Sequence, residues 1–412
     1  MKNRNTPIAV TRREFMQTGM GGLGMIAFSG FAPSFLATTA RANVASPEKD
    51  RQILVLIQLA GGNDGLNTLI PFQDDEYYNL RPDLGIKEGY LPISDLMALH
   101  PSCGGMERLY KDGHLSIIQN VGYPNPNRSH FRSTEIWETA TDSDIIGREG
   151  WIGSYFDNYC DGAGHTSQDP LGLHISNETP GLFMSEKTHS VFGLPSRGRI
   201  RQKKDSEIEL LEKLTQAPAA SDSGGYLQHM MMDAIITERR VQEVIDDYKP
   251  MANYQGNLGQ SLQRIAAMIA SGMETRVYFA SQGGYDTHAN QAGGHAQRLR
   301  ELSQALSAFQ QDLQKHQLDD QVLTVVFSEF GRRPQQNGSN GTDHGAAAPL
   351  FMMGRNLQTP LLGSPPDLMN LQNKDLRHEY DFRQVYATVI QDWFQADPTK
   401  VISGQFDTLP LI

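Results

Sequence analysis

The chain has 412 residues, 39% of them hydrophobic, and a formal net charge of −11 at pH 7. This length is ample for a large core, and the acidic balance argues against nonspecific binding to nucleic acid or to an anionic membrane surface. Because Cys103 and Cys160 are its two cysteines, a zinc site of four cysteines is excluded, and either a disulfide or two buried thiols stay open.

Residues 1–42 are interpreted as an export signal and not as part of the fold. Residues 11–16 (TRREFM) carry a twin-arginine pair, residues 19–37 are weakly hydrophobic and rich in glycine, and residues 40–42 (ARA) form a small-x-small cleavage site. Cleavage after Ala42 removes five basic residues and one acidic residue, which leaves 370 residues and changes the net charge from −11 to −15.

A membrane anchor is the alternative interpretation of this segment. Ser29, Pro33 and several glycines interrupt the hydrophobic run, so it is a poor spanning helix. The sequence therefore predicts a periplasmic or secreted protein with no stable membrane span after cleavage. The twin-arginine translocation machinery is the partner expected during export.

Short apolar runs alternate with longer helical periods along the rest of the chain, which is typical of a wound α/β sheet. Apolar runs predict strands at residues 53–59, 115–121, 276–281, 322–328 and 349–353. Helical spacing predicts helices at residues 130–139, 258–272, 297–317 and 381–394.

Residues 202–249 differ in composition from the segments around them. They are rich in charged and polar helix formers, with a break at residues 217–225. Since no part of this segment could build its own core, we expect a helical insertion over one face or edge of the site. The expected organisation is one domain over residues 43–412.

Acidic and histidine residues lie in Gly-rich loops directly after apolar, strand-like runs. These loops are residues 62–65 (GNDG), 284–288 (GYDTH), 328–332 (SEFGR) and 342–345 (TDHG). Oxygen and imidazole ligands that arrive from the carboxyl ends of several strands can converge on divalent cations. The candidate ligands are Asp64, Asp286, His288, Glu329 and His344.

Three of these residues have a simple structural alternative. Asp64 could be a turn residue in a Gly-rich loop, and Asp286 and His288 could belong to a solvated loop. The ligand interpretation is favoured for Asp64 by its place after a buried strand. The ligand interpretation is favoured for Asp286 and His288 because two ligand types lie on alternate residues of an extended segment.

The other two candidate ligands leave more than one role open. Glu329 ends an apolar run, where a carboxylate needs a partner, and it could bind a cation or pair with Arg332 or Arg333. Arg332 could instead hold an anionic substrate in a bidentate manner. Beside His344, Asp343 could be a ligand or an acceptor that orients the imidazole.

Ser129 is the candidate nucleophile. It lies at the predicted start of a helix, where backbone N–H groups and the helix dipole stabilise an anion. Serine is also a preferred N-cap, so a purely structural role stays open. His130 is the candidate acid/base or ligand. Asn127 and Arg128 are candidate substrate contacts.

Six segments give the chain a resemblance to a known family. They are residues 58–67 (QLAGGNDGLN), 127–131 (NRSHF), 150–153 (GWIG), 285–288 (YDTH), 328–332 (SEFGR) and 343–345 (DHG). In this order they resemble the twin-arginine-exported DUF1501 proteins, which are placed in the alkaline phosphatase and sulfatase superfamily. The resemblance implies an alkaline-phosphatase-like, three-layer α/β/α sandwich with a mostly parallel central sheet.

The same resemblance implies a two-metal site beside a nucleophile at a helix start. Asp64 matches the first acidic ligand by position, Asp286 with His288 resembles the Asp and His of the other metal, and His344 resembles the last His. The chain departs from the pattern where Glu329 replaces an Asp-His pair and where the Asp-x-His spacing at Asp286 is short. One or two divalent ions are therefore expected.

These observations predict an exported metal-dependent hydrolase of phosphate or sulfate esters, with Ser129 or a metal-bound water as nucleophile. Asp, Glu and His ligands suit zinc or manganese, whereas an all-oxygen shell would favour magnesium or calcium. The expected substrate is a small anionic ester or an envelope polymer.

Two other functions stay open. One is a non-catalytic cell-envelope binding or assembly protein that retains the fold, and the other is a phosphomutase or transferase. A formylglycine sulfatase is disfavoured, because neither Cys103 nor Cys160 lies in a Cys-x-Pro-x-Arg motif.

Overall fold

The computed structural model describes residues 51–160, 169–176, 178–196 and 237–412. All of them belong to one of the chain's two compact units, Arg41–Gly198 with Ile236–Ile412. The predicted export signal and most of the predicted helical insertion lie outside the described residues, although residues 237–247 are helical. Within the described ranges, no helix combines the length and the apolar character needed to cross a bilayer.

The described residues form fourteen strands and eight labelled α-helices. The strands are β1 (Ile53–Ala60), β2 (Leu69–Ile70), β3 (Leu91–Pro92), β4 (Ala98–Leu99), β5 (Leu115–Gly122), β6 (Gly172–Ile175), β7 (Val191–Leu194), β8 (Val277–Gly283), β9 (Val322–Phe327), β10 (Arg332–Gln336), β11 (Thr342–His344), β12 (Ala348–Met353), β13 (Leu361–Leu362) and β14 (Tyr380–Asp381). The helices are α1 (Gly65–Thr68), α2 (Asp75–Leu80), α3 (Gly104–Lys111), α4 (His130–Thr139), α5 (Trp151–Tyr159), α6 (Gly256–Ala270), α7 (Gln291–Lys315) and α8 (Phe382–Thr388).

A nine-stranded sheet lies at the centre of this part of the chain. Its order is β13-β5-β12-β9-β1-β8-β6-β7, with β14 also paired to β5. All of its pairings are parallel except those of β12, which runs antiparallel to β5 and β9. The predicted fold class, α/β with a mostly parallel central sheet, is confirmed.

Burial on both faces explains why β1 reads as a continuous apolar run. Residues 53–57 are at most 1% exposed. On one face, Trp137 of α4 stacks on Phe327 and Phe382 with ring centroids 5.2 and 4.4 Å away, in a cluster that also includes α5 and α8. Helices α6 and α7 pack against each other, and α6 also packs against β8. Neither helix contributes a residue to that cluster, so both lie on the other face of the sheet.

The final predicted helix, at residues 381–394, is only partly α-helical. Helix α8 ends at Thr388, and Val389–Trp393 continues as a π-helical turn in which Phe394 N donates to Val389 O. The two cysteines, both in the described ranges, do not form a disulfide. Burial raises the pKa of Cys103 to about 12, so its thiol is expected to be unreactive.

Candidate metal centre

The candidate site residues lie at one edge of the central sheet. Strands β5, β9, β1 and β8 share one direction, so their carboxyl ends meet at this edge. The segments that follow them carry His130, Asp286, His288 and Glu329, whereas His344 ends β11 just before β12 begins at the same edge. The topology therefore brings together residues that are far apart in the chain.

Glycines allow the loops at this edge to approach one another closely. Gly61 has φ +121°, and a Cβ atom there would lie 2.4 Å from the backbone nitrogen of Asp286. A Cβ atom at Gly341 would lie 2.2 Å from the carbonyl carbon of His288. Larger residues would push the loops apart, which explains the Gly-rich pattern around the candidate ligands.

Asp286, His288 and His344 present three ligand atoms to one another. Asp286 Oδ1 lies 3.0 Å from His288 Nε2 and 3.1 Å from His344 Nε2. The two Nε2 atoms are 2.9 Å apart. We call Asp286 Oδ1, His288 Nε2 and His344 Nε2 the ligand triangle.

The other ring nitrogen of each histidine is held by an acceptor. His344 Nδ1 lies 2.8 Å from the carbonyl oxygen of Arg128, and His288 Nδ1 lies 3.3 Å from Asp343 Oδ1. Since a carbonyl or carboxylate oxygen accepts hydrogen bonds, each Nδ1 is assigned the role of donor, and each Nε2 is the ring nitrogen that faces Asp286. Two imidazole nitrogens and a carboxylate oxygen then face one another at 2.9–3.1 Å, so a proton or a cation must lie between them.

His130 extends the ligand triangle. Its Nδ1 lies 2.9 Å from Glu329 Oε1, and its buried Nε2 has no hydrogen-bond partner but lies 3.5 Å from Asp286 Oδ2. One ligand atom from each of His130, Asp286 and His344 lies within 4.8 Å of the others. The hydrogen bond with Glu329, partly opposed by burial, raises the pKa of His130.

Asp286 is ionised at neutral pH in this environment. Partial burial favours its neutral form, but hydrogen bonds from Arg332 and His344 outweigh burial and lower the pKa of Asp286 to about 2. Arg332 Nη2 donates to Asp286 Oδ1 at 2.7 Å. The carboxylate is about half exposed, with a side-chain accessibility of 49%, so it faces solvent beside the triangle.

Glu329 lies behind His130 and not in the ligand triangle. Its side chain is 2% exposed, and its Oε1 accepts a hydrogen bond from Gly61 N at 2.8 Å while it contacts His130. Among the described residues it pairs with His130, and it forms no ion pair with Arg332 or Arg333. In this geometry the Glu329 carboxylate orients the His130 imidazole, and its role as a cation ligand stays a prediction.

Arg332 is a buried structural link between the loops at this edge. It donates to the carbonyl oxygens of Gly62 and Thr342 at 2.8 Å, of Tyr285 at 3.0 Å, and of Gly61. The Arg332 side chain is fully buried, and its Nη2 also donates a hydrogen bond to Asp286 Oδ1. The predicted contact between Arg332 and an anionic substrate does not fit this position.

Asp64 is likewise turned away from the ligand triangle. Its fully buried carboxylate pairs with Arg81 Nη1 at 2.7 Å and also accepts from Asn67 N and Gln291 Nε2. Burial raises the pKa of an isolated carboxyl, but the charge of Arg81 outweighs it and lowers the pKa of Asp64. These contacts do not fit the predicted ligand role. Sequence reasoning missed Arg81, for which no local motif signals a buried ion pair.

Ser129 precedes α4 in the N-cap position. Its backbone is extended, with φ −87° and ψ 125°, its side chain makes no capping hydrogen bond, and the residue is exposed. Its N–H donates to Asn127 Oδ1 at 2.9 Å. Arg128 pairs with Asp375 through its guanidinium. Asn127 and Arg128 therefore stabilise the loop before α4, and their contact with a substrate stays a prediction.

A buried histidine near this edge predicts a pH dependence of stability. Burial lowers the pKa of His295 to about 4, although nearby Asp64 favours the charged form. In the unfolded chain the pKa returns to about 6.5, so below that value the unfolded state binds more protons. The free energy of unfolding should therefore decrease as the pH is lowered from about 6.5 to 4, by up to about 1.4 kcal/mol per pH unit for this residue.

Chemical unfolding across this pH range, in buffer with a chelator, measures the effect. His295→Gln keeps a donor for Asn63 Oδ1, which lies 3.0 Å from His295 Nε2, and should have a shallower dependence than the unmodified protein. An equal slope in the two proteins would contradict the assignment of a neutral, buried imidazole. His100, whose pKa burial also lowers to about 4, should account for part of the remaining slope.

Several solved structures show weak similarity to this chain. The C-terminal periplasmic domain of EcEptC from Escherichia coli is 11% identical, with 89% of this chain and 93% of that chain covered and a TM-score of 0.38. Alkaline phosphatase from the Antarctic bacterium TAB5 is 9% identical, with 73% and 91% covered and a TM-score of 0.31. The lipoteichoic acid synthase LtaP from Listeria monocytogenes is 8% identical, with 93% and 80% covered and a TM-score of 0.36. Because these TM-scores are below 0.5, the similarities carry no argument about the site.

Sequence comparison is more decisive at the level of the family. No curated protein matches the chain. The family model described as "Protein of unknown function (DUF1501)" matches residues 51–402, which include every strand of the central sheet and every residue of the ligand triangle. The chain therefore belongs to the DUF1501 family.

Proposed function

We propose that the protein is an exported, alkaline-phosphatase-like hydrolase of phosphate or sulfate esters that depends on a divalent cation. The observation that carries the proposal is the ligand triangle, with its three acceptor atoms 2.9–3.1 Å apart. Ligand atoms about 2.0–2.2 Å from one ion would be separated by roughly this distance or slightly more. The triangle therefore matches a cation site better than a set of loop residues.

The donor set favours a particular class of cation. One carboxylate and two imidazoles, with His130 beside them, suit zinc or manganese better than magnesium or calcium, which prefer oxygen ligands. The unpartnered Nε2 of His130 is a further position for a ligand. When bound, such an ion supplies Lewis-acid polarisation of a phosphoryl or sulfuryl oxygen.

The residues of α4 supply the other requirements of ester hydrolysis. The Ser129 side chain makes no capping hydrogen bond and lies at the N-terminus of a ten-residue helix, where N–H groups and the dipole stabilise negative charge. The next residue, His130, is held in place by Glu329. We assign the attack to the Ser129 hydroxyl or to a water molecule in its place.

Export is part of the proposal and is supported by the sequence alone. The twin-arginine pair at Arg12 and Arg13 and the small residues around Ala42 imply transport by the twin-arginine machinery to the periplasm or beyond. A small anionic ester or an envelope polymer would be the substrate in that compartment.

Chelation and reconstitution test the proposal directly. Hydrolysis of p-nitrophenyl phosphate or p-nitrophenyl sulfate should disappear after treatment with a chelator and return when zinc or manganese is added, because the ligand triangle would be reoccupied. The measurement is the release of p-nitrophenol together with metal content by elemental analysis. Protein that binds the ion but hydrolyses neither ester would instead favour a non-catalytic binding or assembly role.

A further inference from the structure

A buried amide connects the two loops that carry the ligand triangle. Gln291, the first residue of α7, is 1% exposed. Its Oε1 accepts hydrogen bonds from Thr287 Oγ1 at 3.0 Å and from Thr342 Oγ1 at 2.6 Å. The two hydroxyls come from different loops, so one oxygen atom fixes their separation.

The two threonines are adjacent in the chain to the groups that form the triangle. Thr287 stands between Asp286 and His288, and Thr342 precedes His344 by two residues. The loops are also joined directly, since Thr342 N donates to Thr287 O at 3.2 Å. A shift of the Gln291 side chain would therefore move ligand atoms of both loops.

The orientation of the Gln291 amide is set by Asp64. A carboxylate accepts hydrogen bonds, so Gln291 Nε2 must face Asp64 Oδ2 and the amide oxygen must face the threonines. Asp64 is fixed in turn by its ion pair with Arg81, in which both side chains are fully buried. Leaving such a buried charge without its partner is costly, which keeps the Asp64 carboxylate in one place.

We propose that Asp64 and Gln291 form a positioning relay that sets the spacing of the ligand triangle. The relay touches neither cation nor substrate. It acts through Thr287 and Thr342, and it gives Asp64 a role at this site without ligation. The inference rests on the proposed cation site but not on hydrolysis.

The test compares the same substitution at two buried glutamines of α7. Gln291→Met removes the amide at nearly constant length, whereas Gln310→Met changes a residue that is 2% exposed and nineteen positions further along the helix. Zinc affinity is measured by titration against a competing chelator. Gln291→Met should weaken binding about tenfold, the lower end for loss of an outer partner, and Gln310→Met should leave it unchanged.

Hydrogen exchange of the cation-free proteins supplies a readout that needs no metal. Peptides covering residues 285–291 and 340–345 should exchange faster in Gln291→Met and at the original rate in Gln310→Met. If the unmodified protein binds no zinc, the proposed function fails, while exchange still decides the relay. If Gln291→Met matches the unmodified protein in affinity and exchange, the relay is overturned and the cation site stands.

A folding defect in Gln291→Met would not leave the question open. Thr342→Val removes only one hydrogen bond of the relay and should reproduce the faster exchange of residues 340–345 with a smaller loss of affinity. Unchanged exchange and affinity in this variant, with normal folding, would also overturn the relay.

Discussion

Asp286→Ala and His288→Ala are each expected to remove at least one divalent ion from the protein. The unmodified protein is expected to be isolated with one or two such ions. Each substitution deletes one atom of the ligand triangle, whose members are 2.9–3.1 Å apart. Outer partners of metal ligands typically contribute about 10–100-fold in affinity, and the loss of a ligand should exceed that. Elemental analysis of the purified variants, before and after incubation with zinc or manganese, gives the metal content per molecule.

Matched substitutions elsewhere separate loss of a ligand from general damage. His114 precedes β5 at the opposite edge of the sheet, and Asp320 is exposed in the turn before β9, so His114→Ala and Asp320→Ala should retain the full metal content. Unchanged metal content in both Asp286→Ala and His288→Ala would refute the ligand triangle. So would an unmodified protein that is free of metal and cannot be reconstituted.

The strands of the sheet centre could be predicted because they are buried on both faces. The apolar runs at β1, β5, β9 and β12 matched the observed strands to within one residue at each end. The strands β6, β7, β13 and β14 have four residues or fewer, which is too short for periodicity to identify. The residues of β10 and β11 are largely polar, so the sequence predicts loops where the structure has a hairpin.

The grouping of the candidate ligands was predictable where each belongs to a local motif at or just after the end of a strand. Asp286, His288 and His344 were named from the sequence, and the structure brings them together. Asp64 has the same local signature, yet its side chain turns inward, because the distant Arg81 supplies a buried countercharge. Which way a carboxylate turns at the end of a strand depends on tertiary partners that no local pattern contains.

His130 and Glu329 show the same limit for a pair of residues. The sequence suggested Glu329 as a ligand, but in the structure the exposed edge is taken by His130 while Glu329 supports it from behind. Loop 123–129 leads from β5 into α4, whose first residue, His130, contacts Glu329 just beyond the end of β9. The local sequence predicts that both residues lie near the site, whereas only the folded structure shows that His130 Nε2 is 3.5 Å from Asp286 Oδ2.

Ser129→Ala is expected to abolish ester hydrolysis while metal content and stability are retained. Loss of a serine nucleophile should lower kcat by at least about a thousandfold, which is equivalent to roughly 4 kcal/mol of transition-state free energy. Because the Ser129 side chain makes no capping hydrogen bond, the free energy of unfolding should change by less than about 1 kcal/mol. Ser403→Ala, an exposed serine near the C-terminus, is the matched control and should turn over ester normally. Steady-state hydrolysis, elemental analysis and chemical unfolding of both variants make the comparison. Undiminished turnover by Ser129→Ala would assign the attack to a water molecule, and a loss of metal together with activity would assign Ser129 to the cation site.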